Sequence, residues 1–362
     1  MTLGRTYPEQ YSQQLADKAR ELETQFAELN PPELEVFASE PEHFRMRAEF
    51  RIWHEGDRSF YAMHDPEQPH KPVEIRDFPI ASQLINTHLQ TLIDAVCQEP
   101  ILRHRLFQVE FLSTQSGQLL ITLIYHKQLN DDWLVAAKKL RAKLGVDLIG
   151  RARKQKICLD RDFVDETLQV KGKAYHYQQV ENSFTQPNAG VCEKMLGWAL
   201  DASQNATGDL LELYCGNANF TVVLAQNFDR VLATEISKTS VNSARLNFER
   251  NSISNVEVVR MSSEEFTQAM NKERPFRRLR HIDLDSYHFS TIFVDPPRAG
   301  LDAETEKLVQ RFDRVIYISC NPDTLRNNLD RLCQSHRIER FALFDQFPYS
   351  HHREAGVILQ RR

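Results

Sequence analysis

The sequence predicts an α/β protein in two parts, a mixed α+β region followed by a doubly wound parallel sheet. Three observations predict it. After about residue 175, strand-sized apolar runs alternate regularly with helical segments, the pattern of βαβ units. Several runs end on small or chemically active residues, as in "LELYCGNANF", "FVDPPRAGL" and "YISCNPDTL", and the carboxyl ends of strands are where open α/β sheets place ligands. Before that point the chain reads instead as isolated helices and hairpins.

In chain order, a polar helix is expected at roughly 7–29. "HFRMRAEFRIWHEG" then alternates as a strand, with Arg45, Arg47, Glu49 and Arg51 on one face. A helix near 80–98 precedes the hairpin "LFQVEFLSTQSGQLLITLIYHK", whose Ser-Gly pair signals the turn. "DDWLVAAKKLRAKLG" has the acidic start, basic later turns and glycine stop of a helix. The domain junction is expected near 170–180, giving an N-terminal domain over 1–175 and a second over 176–362. The second half then runs "GDLLELYCG" (strand), "NFTVVLAQNF" (helix), "RVLATEIS" (strand) and "KTSVNSARLNFERN" (helix). The strands "VEVVRMS", "STIFVDPP", "RVIYISC", "RIERFALFDQF" and "AGVILQRR" complete the series.

A chain of 362 residues, 41% hydrophobic and 26% charged, has core enough for both domains. No segment approaches the roughly 18 consecutive apolar residues of a membrane span, and the polar N-terminus carries no signal-peptide pattern; a cytoplasmic protein is expected. The six cysteines (97, 158, 192, 215, 320 and 333) include no CxxC pair, so neither a metal site nor an iron–sulfur cluster is expected, and each thiol should be free. The net charge of −5 hides local basic runs: nine Lys/Arg against three Asp between Lys127 and Lys156, and "NKERPFRRLR" at 271–280. Either run reads equally as a solvated helix face or as a surface for phosphates.

The turn after "LELY" sits between a strand and a helix, and Gly216 can let a ligand approach the backbone. With Ala218 where a dinucleotide fingerprint has its second glycine, a loop cradling pyrophosphate is not expected. Glu235 ends the next strand, where a carboxylate accepts hydrogen bonds from ribose hydroxyls. The alternative for Glu235 is a helix cap. This combination is typical of S-adenosylmethionine enzymes, with other nucleotide binders as the rival. Asp295 ends a third strand and Cys320 a fourth, where the following helix start favours a thiolate. Glu354 stands just before the last strand, close to the carboxyl end of its antiparallel neighbour. A thiol nucleophile, a carboxylate base and a methyl donor in one cleft suit methylation of a poorly nucleophilic carbon such as uracil C5: addition at C6 activates C5, and a base then removes the C5 proton.

At this point the residues match a family. "NSFTQPNA", "ELYCGNANF", "TEIS", "FVDPPRAGLD", "YISCNPDTL" and "HHREAGVIL", with "FRMRAEFRIWHEGD" and "LRHRLFQVEFL" in the first half, closely resemble the RNA uracil-5-methyltransferases over nearly the whole chain. The branch most resembled acts on the tRNA T-loop at position 54. The resemblance implies a Rossmann-like S-adenosylmethionine-dependent methyltransferase domain behind an N-terminal α+β RNA-binding domain. It implies Cys320 as nucleophile, Glu354 as proton acceptor, and cofactor contacts at Gln186, Tyr214, Asn219, Glu235 and Asp295, with Gly216 in the loop. From the residues alone, Tyr214 reads as a core aromatic and Gln186 as a loop amide. The family usually has glycine where this chain has Ala218.

Members acting on ribosomal RNA often carry an extra domain or a cysteine cluster, so the T-arm of tRNA is the expected partner, with the T-loop-like element of transfer-messenger RNA as a second. No obligate protein partner is inferred. 5-Methyluridine formation in ribosomal RNA and a non-catalytic tRNA-binding or folding role remain as rivals. A T-loop uridine must be extruded to react. Arg47, Arg51, Arg103, Arg105, Phe107 and Arg298 are the candidates for RNA contact, with salt-bridged strand positions and a core phenylalanine as the alternative. His351 and His352 flank the base, as substrate contacts or as a solvated pair.

Overall fold

Strands of five or six mostly apolar residues after residue 205 are buried on both faces, which is what a parallel sheet covered by helices requires. The computed structural model describes residues 3–65 and 68–362. The chain divides into two compact units: Met1–Glu9, Glu40–Thr167 and Gln179–Ala189 form one, and Gln10–Ser39, Leu168–Gln178 and Gly190–Arg362 the other. The units interleave along the chain, whereas the sequence pattern placed one junction near 170–180.

The second unit holds an eight-stranded sheet. Its order is Leu34–Phe37, His336–Phe344, Glu354–Arg361, Arg314–Ser319, Phe289–Val294, Asp209–Leu213, Val231–Glu235, Val256–Arg260. From Asp209–Leu213 the chain winds outward to Val256–Arg260, then returns to the other side at Phe289–Val294. The order therefore reverses between Asp209–Leu213 and Phe289–Val294, the switch point where such sheets bind ligands. The parallel series is broken at one strand, the last, as its expected antiparallel neighbour requires. Glu354–Arg361 runs antiparallel to both neighbours, because a short loop from His336–Phe344 permits only a hairpin.

Two elements of this unit were not expected in it. The helix Tyr11–Phe26 buries Tyr11, Lys18, Leu22 and Phe26 along one stripe at helical spacing, and Phe26 packs on Phe341 with ring centroids 5.1 Å apart. The strand Leu34–Phe37 then pairs in parallel with His336–Phe344. The helix Ala189–Ala202 sets Trp198 edge-on to Phe344 at 5.5 Å.

The first unit is a seven-stranded sheet in the order Gln68–Ile75, Arg58–Asp65, Arg47–Glu55, Leu106–Ser113, Leu119–Tyr125, Asp147–Ala152, Gln155–Cys158. The helices Gln83–Gln98 and Asp131–Leu144 contribute Leu89, Leu92, Trp133 and Ala137 to a core shared with Phe50, Phe111 and Leu123. Both helices carry side-chain caps, Ser82 accepting from the Ile85 N–H at 3.2 Å and Asn130 from the Trp133 N–H at 3.0 Å. Along Arg47–Glu55, Ala48, Phe50 and Ile52 are buried while Glu49, Arg51 and Trp53 are exposed, the alternation of a sheet with one open face. Among the described residues no helix is long and apolar enough to cross a membrane.

Candidate active site

The turn that follows Asp209–Leu213 is made of left-handed residues in alternation: Tyr214 (φ 61°), Gly216 (φ 58°) and Ala218 (φ 67°). Only glycine adopts this region without a steric cost, so Ala218 bears the strain that a glycine would relieve. Three of the turn's amides are satisfied within the protein. Cys215 N–H donates to Thr234 O, Ala218 N–H to Cys215 O, and Gly216 N–H to Glu235 Oε2 at 3.0 Å. Glu235 Oε1 accepts the Ser237 N–H at 2.7 Å. A carboxylate oxygen with one amide donor keeps a lone pair for a ribose hydroxyl, and the next residue, Ile236, is 64% exposed as an apolar surface for a base. Both readings of Glu235 therefore meet in one side chain: it caps the turn and retains acceptor capacity. Tyr214 is half-buried and donates through its hydroxyl to Ser263 Oγ at 2.7 Å. Asn219 sits against Cys192, its Nδ2 3.3 Å from Sγ.

Strand register assembles the rest. Leu213 pairs with Val294, so the next residues on the two strands, Tyr214 and Asp295, leave the sheet side by side. On the other flank Ser319 pairs with Ala355 in antiparallel register, which sets Cys320 opposite Glu354. Burial pushes Asp295 up to about 7. Burial, then the neighbouring Asp295 charge, holds Glu354 well above the usual carboxylate range. The Cys320 thiol is pushed up to about 11 by burial first, then by Glu354 and Asp295, with the Arg298 charge pulling the other way. The sequence led us to expect a thiolate favoured by the helix start. A helix terminus contributes up to about 2 kcal/mol, and here burial and two carboxyls outweigh it.

The Asp-Pro-Pro-Arg and Cys-Asn-Pro segments are tied to each other. Asn321 caps the helix Pro322–Leu332 by accepting the Asp323 N–H, and its Nδ2 donates to Arg298 O at 3.0 Å. Thr324 Oγ1 donates to the same carbonyl at 3.2 Å. Gly300 turns the loop at φ 76°, and a Cβ there would stand 2.8 Å from Asn328 Oδ1, so only glycine closes it. These residues fit a sulfonium nucleoside: a ribose-accepting carboxylate, an apolar surface beside it, and buried carboxyls to balance a cation.

The remaining expected residues fall in the first unit, apart from Arg298, which is exposed, and the neighbouring rings of His351 and His352, 4.2 Å apart. Gln186 lies in its last segment, Gln179–Ala189, two residues after Phe184, which is 71% exposed. Arg47 is half-buried and donates to Ser183 O at 2.8 Å, holding that segment in place together with Met46 N–H to Pro187 O. Arg103 clamps a hairpin turn through Ser59 Oγ at 2.8 Å and Arg58 O at 3.1 Å. Arg105 is exposed at φ 62°. Arg51 lies over the Phe107 ring at 3.9 Å, and Phe107 stacks on His126 with centroids 3.9 Å apart.

Sequence reasoning missed three residues. His126 completes the stack, and hairpin periodicity alone carried no signal for it. Glu212, inside a buried strand, is pushed up to about 8 by burial, and its Oε2 has no hydrogen-bond partner. Lys18 is a buried lysine on a helix read as polar. Of the other thiols, Cys215 is buried and held well above its ordinary value by burial, then by Glu212 and Glu235.

The proteins named tRNA/tmRNA (uracil-C(5))-methyltransferase from Shewanella amazonensis and Vibrio vulnificus are 59% identical over 359 residues and 58% identical over 362, each match covering 98% of both chains. The crystal structure of Pyrococcus abyssi tRNA (uracil-54, C5)-methyltransferase in complex with S-adenosyl-L-homocysteine is similar in fold. Its TM-score is 0.72 at 20% identity, over 96% of this chain and 83% of that one. The family model for tRNA (uracil-5-)-methyltransferase matches residues 10–362. With Cys320 and Glu354 facing each other across two hydrogen-bonded strands, the chain belongs to the tRNA (uracil-5-)-methyltransferase family.

Proposed function

We propose that the protein methylates C5 of the T-loop uridine 54 of tRNA, and the T-loop-like uridine of transfer-messenger RNA, in the cytoplasm. The observation that carries this reading is the juxtaposition of Cys320 and Asp295, just past the carboxyl ends of their strands, with Glu354 at the start of the antiparallel strand between Arg314–Ser319 and His336–Phe344. S-Adenosylmethionine, when bound, supplies an electrophilic methyl group. Within the second unit, Glu235 and Asp295, with Gly216, Tyr214 and Asn219, are the residues that would hold it.

Cys320 adds through its thiolate to uracil C6, turning C5 into an enolate-like carbon nucleophile. Repulsion from Asp295 and Glu354 opposes the thiolate, and a cation in the cleft relieves that repulsion, which ties activation of the thiol to occupancy of the site. After methylation, the Glu354 carboxylate takes the C5 proton. The C5–H electron pair forms the C5–C6 double bond while the C6–S bond breaks, and Cys320 leaves as thiolate. Burial that raises the affinity of Glu354 for a proton suits it to this step.

The N-terminal unit is read as the RNA holder. The Arg51–Phe107–His126 stack offers a cation and, at its outer end, the exposed His126 ring, which suit the phosphates and unstacked bases of a loop. Arg105 adds an exposed charge, while Arg47 and Arg103 act by fixing the loops around them.

The test uses tRNA carrying 5-fluorouridine, whose fluorine cannot leave as a proton. With S-adenosylmethionine the wild type is expected to form a covalent complex that survives denaturing gels, and Cys320→Ala none. Equal trapping by both would reject the mechanism. Labelled methyl incorporated into tRNA and not ribosomal RNA, in separated pools, is the result expected for the substrate.

A further inference from the structure

Residues 345–353 form the loop that delivers Glu354 to its strand, and the helix Tyr11–Phe26 holds that loop at several points. Asp345 is 1% exposed, and both its oxygens are satisfied from this one helix. Lys18 Nζ donates to Oδ1 at 2.7 Å; Tyr11 OH and Gln14 Nε2 donate to Oδ2 at 3.0 and 3.1 Å. Lys18, itself 6% exposed, also donates to Phe347 O at 2.7 Å. Gln14 Oε1 accepts the Tyr349 N–H at 3.1 Å, at a residue held in the left-handed region with φ 59°. Arg353, the residue before the base, meets Glu21 at 3.5 Å.

A connection between two strands needs none of this. Burying a lysine and an aspartate costs desolvation on both sides, and well-packed apolar residues in their place are often as stable or more so. What the pair supplies is a fixed geometry with directional bonds at three successive points of the loop. We infer that Lys18, assisted by Tyr11 and Gln14, is a positioning residue that holds the 345–353 loop so that Glu354 stays aimed at the C5 proton. This rests on the reading of Glu354 as proton acceptor. Its effect falls on the last chemical step, proton removal with expulsion of Cys320, and not on methyl transfer.

The full-length protein is assayed with unmodified tRNA and S-adenosylmethionine labelled in the methyl group, with Glu354→Gln as reference. Lys18→Met is expected to lower steady-state kcat by about 10- to 100-fold, the usual cost of small misplacements. Labelled methyl should enter the RNA in the first turnover at the wild-type rate, remain in a gel-stable enzyme–RNA adduct, and leave the KM for S-adenosylmethionine unchanged. Where Lys18→Met leaves the protein too unstable, the double variant Lys18→Met/Asp345→Asn neutralises both partners, and Tyr11→Phe with Gln14→Leu keeps the ion pair; each should stall at the same adduct. Slowing of methyl transfer and release together, or a lowered melting temperature with normal turnover, overturns the inference. If Glu354→Gln stalls as an adduct and the helix variants do not, this inference alone fails. If Glu354→Gln turns over normally, the assignment of the base fails and takes the inference with it.

Discussion

Cys320 is half-buried between two carboxyls, and the protonation of its thiol follows from them. With the thiol pushed up to about 11, the thiolate is a minor form at neutral pH. Because the raised value reflects destabilised negative charge, alkylation by iodoacetamide should speed up with rising pH, toward a midpoint near 11. Asp295→Asn removes one of the opposing charges, so the midpoint should move down and alkylation at pH 8 should accelerate. Mass spectrometry of the Cys320 peptide across a pH series measures both, and an unmoved midpoint would dismiss Asp295 as a contributor.

At this scale the sequence was informative wherever chemistry stands at a strand tip. Cys320, Asp295 and Glu235 announce themselves by following apolar runs. Glu212 does not, because one carboxyl inside a buried strand looks like ordinary alternation until its neighbours are known. Arg47 shows the opposite failure. Alternation puts Arg47 on the same strand face as Arg51, but pattern cannot say that one meets Ser183 O and the other the half-buried Phe107 ring.

The element that most shapes the cleft is the turn 214–218, where three of five residues have positive φ. A left-handed conformation costs a non-glycine residue about 1–2 kcal/mol, and Ala218 is fully buried as well. Ala218→Gly relieves that strain but loses about 0.8 kcal/mol of methyl burial and about 0.4–1 kcal/mol through a freer unfolded chain. The melting temperature should therefore hardly move. Ala218→Val combines a β-branched residue in the left-handed region with overpacking worth about 1–3 kcal/mol. It should lower the melting temperature by several degrees and weaken S-adenosylmethionine binding in calorimetry. Equal stability of the two variants would mean that the turn is more pliable than its dihedrals indicate. The sequence located this turn through Gly216 and the strand before it, but left Tyr214 as a core aromatic because backbone handedness leaves no trace at a tyrosine.

If the first unit holds RNA and the second carries the chemistry, as proposed, damage should sort by unit. Phe107→Ala removes the middle of the Arg51–Phe107–His126 stack. Phe107 backs the exposed His126 ring, and loss of a base–aromatic contact worth about 1–3 kcal/mol should raise the KM for tRNA about 5- to 150-fold. The KM for S-adenosylmethionine and the alkylation profile of Cys320 should stay as in the wild type. Steady-state kinetics with each substrate varied in turn checks this, and a matched loss in both KM values would count against the division. The strand–helix alternation made the second unit's sheet legible, including seven of its eight strands. The eighth, Leu34–Phe37, and the helix Tyr11–Phe26 joined it from the far end of the chain, through contacts that no local pattern encodes.

The strand Glu354–Arg361 lies inside the sheet, between Arg314–Ser319 and His336–Phe344, yet it follows both of them in the chain. During synthesis the sheet therefore waits with an open slot, its two flanking strands unpaired toward each other, until this segment leaves the ribosome. The same insertion that closes the sheet brings Glu354 opposite Cys320, so the proposed nucleophile and proton acceptor meet only in a completed sheet.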